Sequence, residues 1–228
     1  MTFVLKYDLR LGDIVACLPI ADALAQQGHE VLFWCREEYH DIFRCVSYCK
    51  PISIQQPGLS TLVDIQVWPA RYNDYRASGK PWQQYVYELA AHYTGIGLDI
   101  HTPPRFTDTS VDLDKYGLVS GEYDLVAPYG ISQEWRPSRL SFIKQIEAMG
   151  MHPQYKVLTP PYPAFSPSAI TARKLSDLPG LIQHARKFLT TESAPHTIAA
   201  GVRKEWHYFK LPDYNGQEHR EYAGGIAV

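Results

Sequence analysis

The residues best placed by type and spacing to do chemistry are Gly12 and Asp13, which follow the short apolar run Phe3-Val4-Leu5 and precede Ile14-Val15-Ala16-Cys17-Leu18-Pro19. A strand followed by a small residue and an acid puts that acid at the carboxyl end of the strand, the edge of an α/β sheet at which ligands bind. There Asp13 can take a proton from a hydroxyl group. It can equally serve as the N-cap of the helix that follows, since aspartate is among the best caps. A second chemical stretch is Thr191-Glu192-Ser193-Ala194-Pro195-His196-Thr197. Here a loop runs directly into a helix expected over Pro195 to Ala200, and the unpaired amides and positive dipole end of such a helix can cradle a diphosphate. Asp112-Leu113-Asp114 has the spacing of a carboxylate pair that can hold a divalent metal, but it falls in an expected interdomain linker and we assign no metal. The cysteines 17, 35, 45 and 49 contain no C-x-x-C pair. With His40 nearby they still read as reduced, partly buried thiols rather than a zinc site.

The elements that must position these groups follow from periodicity. Val31-Leu32-Phe33-Trp34 reads as a second strand, with a helix before it from about Pro19 to Gln27, a turn over Gly12 to Leu18, and Gly28 as the helix stop. Arg36 to Arg44 suits a short surface helix, while Ile52-Ser53-Ile54 and Leu62 to Trp68 alternate as half-buried strands do. The span Trp68 to Lys80 reads as a loop, and Trp82 to Thr94 as a helix closed by Gly95. Its segment Arg71 to Arg76 is a candidate acceptor-binding loop. A second strand-loop-helix unit opens at Tyr123 to Gly130, Tyr129 included, with a helix from Ser138 to Met149. Strands follow at Lys156 to Thr159 and Lys187 to Leu189, and helices at Asp177 to Ala185 and Pro195 to Ala200, with a weak half-turn between Ala164 and Ser176. After Gly201 the short stretch Val202 to Phe209 is assigned no element, and the tail from Lys210 to Val228 is polar with a Gly-Gly near its end.

The chain has 228 residues, 45% of them hydrophobic and 20% charged, within the range of ordinary globular proteins. A formal net charge of −2 gives no general attraction to a long polyanion, so nucleic acid is a possible but disfavoured partner. No apolar stretch is long enough to span a membrane and no signal-peptide pattern opens the chain, so the expected location is cytoplasmic.

The segment Asp8 to Pro19 resembles the N-terminal signature of the ADP-heptose:lipopolysaccharide heptosyltransferase family of glycosyltransferases: a strand, Gly-Asp with two apolar residues, then Leu-Pro and a helix. Asp177 to Leu189 followed by Thr190 to Gly201 resembles the family's helix, strand and Asn-Asp-Ser-Gly-Pro-x-His-x-Ala-Ala loop. Here Glu192 stands for the aspartate, Ala194 for the glycine and Thr197 for the histidine, with His196 one residue earlier. Glu134-Trp135-Arg136-Pro137 is similar to a third motif, in which Arg136 is the nearest cation to the family's lysine.

The resemblance implies an α/β chain of two Rossmann-like domains facing across a cleft, the GT-B type, smaller than usual: residues 1–120 on the acceptor side and 121–228 on the nucleotide-sugar side. It implies inverting, metal-independent transfer of a hexosyl or heptosyl unit from a nucleotide-sugar, which is a substrate and not a cofactor, to a glycan, lipid-linked or other hydroxyl acceptor. Asp13 would be the general base. Gly12, Tyr129, Arg136, Thr191, Glu192, Ser193, Ala194, Pro195, His196 and Thr197 would bind the donor, and Arg10, Arg71 and Tyr72 the acceptor. Two alternatives stay open: a non-catalytic nucleotide-binding or accessory protein of the same fold, and a transferase acting on a modified nucleic-acid base.

Overall fold

In the computed structural model, the described residues are 1–53, 60–128, 139–159, 169–210 and 221–228. They form two compact units, one of residues 1–108 with 213–222, the other of residues 109–212 with 223–228.

The first unit is built on a four-stranded sheet of order β3-β2-β1-β4, with β1 at Thr2–Lys6, β2 at Glu30–Trp34, β3 at Lys50–Ile52 and β4 at Ser60–Asp64. All its pairings are parallel, and Lys6 stands opposite both Trp34 and Asp64. Phe3, Val4 and Leu5 of β1 are buried because that strand has neighbours on both sides. The chain builds β1, β2 and β3 outward in one direction, then returns to place β4 on the other side of β1. The carboxyl ends of β1 and β4 therefore flank the point where the strand order reverses.

Helix α1 runs over Leu11–Gln26, longer than the sequence suggested, and carries Pro19 inside it rather than in its first turn. Proline removes one backbone donor from a helix interior. In α1 it is surrounded by a continuous buried run from Ile14 to Asp22, and the buried Tyr87 hydroxyl donates to the Ala16 carbonyl at 3.0 Å. Core packing thus outweighs the local cost of proline. The expected stop is present, with Gly28 at φ 82°.

A 3-10 helix covers Glu37–Cys45. The span expected as a loop after Trp68 contains helix α2, Tyr72–Ser78, closed by Gly79 at φ 67°. Its buried Tyr75 provides the apolar anchor that the polar sequence around it concealed. Helix α3 covers Trp82–Thr94, with Gly95 at φ 75°.

The second unit has a six-stranded parallel sheet of order β10-β9-β8-β5-β6-β7. Its strands are β5 at Leu125–Ala127, β6 at Lys156–Thr159, β7 at Ala169–Thr171, β8 at Phe188–Thr191, β9 at Trp206–Phe209 and β10 at Gly225–Ala227. Helices α4 (Arg139–Ala148), α5 (Leu178–His184) and α6 (Ala194–Val202) connect them. Val126, Phe142, Ile146, Met151 and Leu189 form one core cluster.

In the second unit three further features depart from the sequence reading. In the described part of the span Ala164 to Ser176, strand β7 and a 3-10 turn at Leu175–Asp177 stand where a half-turn of helix was expected. The stretch after Gly201 holds β9, with Trp206 and Tyr208 buried. The polar tail returns as β10, short and exposed along much of its length, which is why its sequence carries no strand pattern.

Candidate active site

Asp13 is the third residue of α1, and the N-cap position belongs to the exposed Arg10, which makes no side-chain capping bond. The capping alternative is thereby replaced. The half-buried Asp13 carboxylate lies in the first turn, where the helix dipole favours negative charge, and accepts a hydrogen bond from the Tyr7 hydroxyl at 3.0 Å. Tyr7 is itself 2% exposed and packs edge-on against Trp82 at 5.7 Å, so α3 fixes the group that orients Asp13. Gly12, half-buried beside it, adds no side chain to the first turn. Neither Tyr7 nor Trp82 was assigned from sequence; the position of Tyr7 one residue past the strand is the signal that could have found it.

At the neighbouring strand end, Asp64 is bridged by Lys6 at 3.5 Å and by Arg71 at 3.3 Å. Arg71 also donates to the Gln66 carbonyl at 2.9 Å. The ammonium of Lys6 lies 4.8 Å from the centre of the Trp34 ring. Two oxygens at this edge, Asp8 Oδ1 and Gln66 Oε1, are buried and have no hydrogen-bond partner among the described residues. Of the residues assigned to an acceptor, Arg71 is the N-cap of α2 and Tyr72 its first residue, both half-buried, while Arg10 lies at the start of α1. The first unit thus gathers Arg10, Gly12 and Asp13 after β1, and Arg71 and Tyr72 after the adjacent β4.

In the second unit β8 ends at Thr191 and α6 starts at Ala194, with Ser193 as N-cap in extended conformation. The Ser193 hydroxyl donates to the Thr191 carbonyl at 3.1 Å, and the Thr190 hydroxyl to the Ala127 carbonyl of the adjacent strand at 3.1 Å. Ser193, Ala194 and Pro195 are half-buried and present surface; Pro195 contributes no amide donor to the first turn.

The other assigned side chains turn inward. His196 is 0% exposed, its Nδ1 accepts from the Trp206 indole N–H at 3.0 Å, and its ring centre is 4.2 Å from that of Tyr208. Thr197, also 0% exposed, turns its hydroxyl to the Ser193 carbonyl at 3.5 Å. Thr191 and Glu192 are 1% and 4% exposed. His196 and Thr197 therefore support the turn from within the core rather than touching a ligand with their side chains. Tyr129 and Arg136 lie outside the described residues.

Asp112 of the D-x-D pair is bridged by Lys115 at 3.0 Å, and among the described residues no group of three or more His, Cys, Asp or Glu is placed to hold a metal ion. No helix among the described residues is long and apolar enough to cross a membrane.

No protein-family model matches the sequence, and no curated protein matches it. Solved structures do. The E. coli heptosyltransferase WaaC with ADP-2-deoxy-2-fluoro heptose superposes with a TM-score of 0.63 at 12% identity, over 100% of this chain and 93% of that one. The chain has the GT-B-like heptosyltransferase fold. TibC from enterotoxigenic E. coli H10407, a bacterial iron-containing dodecameric glycosyltransferase, gives a TM-score of 0.67 at 12% identity over 99% of this chain. The present chain spans 63% of TibC's length. The family 9 glycosyl transferase of Veillonella parvula matches at 0.55 and 14% identity, over 100% of this chain and 86% of that one. Among the described residues every strand pairing in both sheets is parallel.

Proposed function

We propose that the chain transfers a sugar from a nucleotide-sugar donor to an acceptor hydroxyl group. The observation that carries the proposal is the half-buried Asp13 carboxylate at the carboxyl edge of the first sheet, oriented by the Tyr7 hydroxyl. A carboxylate oriented at the strand end is the kind of group that takes a hydroxyl proton as a general base. Structures of the same fold are described with ADP and with ADP-heptose donors, which supports a nucleotide-sugar as the partner.

In this mechanism the first unit takes the acceptor and the second the donor. Asp13 removes the proton as the acceptor oxygen attacks the anomeric carbon, and the configuration there inverts by direct displacement. The departing diphosphate is held at the first turn of α6 by backbone amides around Ser193, with Arg136 as the assigned cation, and no metal takes part. The setting is cytoplasmic, where buried thiols such as those of the free cysteines 17, 35, 45 and 49 stay reduced.

The test is release of nucleoside diphosphate from a panel of ADP-, UDP- and GDP-sugars with candidate glycan acceptors. Asp13→Asn keeps the size and polarity of the side chain but removes the proton acceptor, so turnover should fall about a hundredfold or more while donor binding persists. Near-normal turnover by Asp13→Asn would remove the base. Nucleotide-sugar binding with no transfer to any acceptor would favour the accessory reading.

A further inference from the structure

A recess of about 700 Å³ opens within the second unit, between α4 and the amino ends of β8 and β9. Phe188 and Trp206, each 1% exposed, belong to its floor, and Ala148, Met149 and Val202 add apolar surface. Val202 ends α6 and Ala194 begins it, so nine residues, roughly 13 Å of helix, separate the recess from the turn proposed for the donor. The two places are distinct.

The charge of the recess is unlike that of the chain. Arg186, Lys187, Arg203 and Lys204 line it, against Glu205 and the Asp124 carboxylate that Arg186 holds. Four cations against two carboxylates leave an excess of two positive charges, in a chain whose formal net charge is −2. Two of the cations have a structural role. Lys187 donates to the Met149 and Gly150 carbonyls just past α4, the latter at 2.9 Å, and Arg203 donates to the Ile182 and Ala185 carbonyls at the end of α5, at 2.9 and 2.6 Å. Both sit where the negative dipole end of a helix favours a cation. Carbonyl partners satisfy their N–H groups without cancelling their charge.

The remaining donors have no such role. Arg186 uses Nε and Nη2 on Asp124 and keeps Nη1 without a partner among the described residues. Neither the exposed Lys204 ammonium nor the half-buried His207 ring has a hydrogen-bond or ion-pair partner among them. His207 shares with Phe209 the sheet face against which α4 packs, where the Phe142 and Phe209 rings lie 4.6 Å apart, so its imidazole is on the recess side of β9.

Donors from three side chains, set in a recess with an excess of two positive charges, suit a compact dianion with several acceptor oxygens. A phosphate monoester carries about −1.5 to −2 at neutral pH and three such oxygens. The volume is that of a small-molecule site, about 300–1,000 Å³, and exceeds what a bare phosphate fills. The apolar surface beside the cations suits an organic group. A recess, unlike a flat face, takes a soluble ester more readily than a membrane headgroup.

We infer that this recess binds a soluble phosphate ester, with Lys204, His207 and Arg186 Nη1 holding the phosphate and Ala148, Met149 and Val202 meeting the organic part. The inference stands apart from the transferase reading, since it concerns the opposite end of α6.

The experiment labels the full chain at its histidine ring nitrogens, the His207 signal being assigned by its loss in His207→Gln. The chain is titrated at constant ionic strength with inorganic phosphate, glycerol phosphate, ribose phosphate and adenosine monophosphate, and acetylation of Lys204 is followed in parallel by mass spectrometry. At least one ester should move the His207 signal, slow Lys204 acetylation at least about threefold and bind more tightly than inorganic phosphate. Lys204→Gln and His207→Gln should each weaken that ester about tenfold, the loss of one hydrogen bond to a charged group. Their melting temperatures should stay within about 2 °C of the parent, because neither side chain has a partner to lose. Affinity for whichever nucleotide-sugar the chain binds should change less than about twofold. No response at His207 or Lys204 to any of these compounds overturns the inference. So does protection by succinate equal to that by the esters, which is charge screening alone, or inorganic phosphate binding as tightly as the best ester. Protection by phosphatidylglycerol vesicles with none by soluble esters overturns it in favour of a membrane surface, and unchanged ester affinity in both variants places the phosphate elsewhere. Ester binding here without nucleotide-sugar turnover would leave this inference standing while the transferase reading fell.

Discussion

Burial decides what several side chains can do. Burial pushes the Cys35 thiol up to about 12, and the nearby Asp8 carboxylate adds to the effect. Such a thiol is protonated at neutral pH and carries almost no nucleophilic thiolate. All four cysteines are buried, so the native chain should resist labelling by a thiol reagent at pH 8 and should react at four sites once unfolded by guanidinium. Rapid native labelling would place a thiolate where the structure has none. Asp124 shows the opposite balance. Its burial alone would raise the carboxyl, but two hydrogen bonds from Arg186, at 2.9 and 2.6 Å, and one from the His152 amide, at 2.6 Å, outweigh burial and hold it below its ordinary value. The folded carboxyl is thus harder to protonate than the unfolded one. Its contribution is present above the ordinary carboxylate range and is lost as pH falls through the folded-state value. Asp124→Asn should therefore cost about 1.5–3 kcal/mol at pH 7, the usual worth of a charged hydrogen-bonding group, and should flatten the acid limb of the stability curve. Urea denaturation from pH 3 to 7 measures both.

At the scale of elements, close packing overrides local preference. Helix α5 contains Gly180, and an alanine there would ordinarily gain up to about 1 kcal/mol of helix propensity. In this chain a Cβ at Gly180 would press on the Thr109 carbonyl and lie 2.8 Å from Val111 Cβ. Gly180→Ala should consequently destabilise by about 1–3 kcal/mol, read as a lower urea midpoint; a stabilised variant would show that residues 109–111 move aside easily. The same contest explains what the sequence revealed. Apolar runs and glycine stops showed β1, β2, α3, β6 and the loop from β8 to α6, because those signals are local. The true start of α1 was hidden by Pro19, whose cost is offset only by packing that no local pattern displays. Strands β9 and β10 were hidden for another reason: β10 is a short edge strand with little to bury, and β9 follows a helix with few intervening residues. For the candidate site, the positions of Gly12-Asp13 after a strand and of Ser193 before a helix were legible from local pattern. The inward turn of His196 was not, since it depends on Trp206, a partner ten residues on that only the folded sheet brings to it.

At the scale of the whole chain, the second unit's sheet ends in the pairing of β10 with β9, three residues in parallel register from Gly225 opposite Trp206 to Ala227 opposite Tyr208. Gly224 takes φ 94° and accepts at its carbonyl from the Trp206 amide at 3.2 Å, so the turn into β10 rests directly on the residue that holds His196. Removing residues 223–228 should uncover the Trp206 indole, which is 1% exposed, and shift tryptophan emission to longer wavelength with a lower melting temperature. On the proposed donor site it should also weaken nucleotide-sugar binding, because α6 loses support at its first turn; unchanged emission and affinity would show β10 to be dispensable. The position of β10 has a further consequence for the order in which the protein is made. On the ribosome the four strands described for the first sheet have all emerged at residue 64, whereas the six described for the second wait for residue 227. Between those moments β9 presents an unpaired edge with hydrophobic residues behind it, the kind of surface that recruits chaperones or neighbouring chains. That edge stays uncovered from the emergence of Phe209 until that of Ala227.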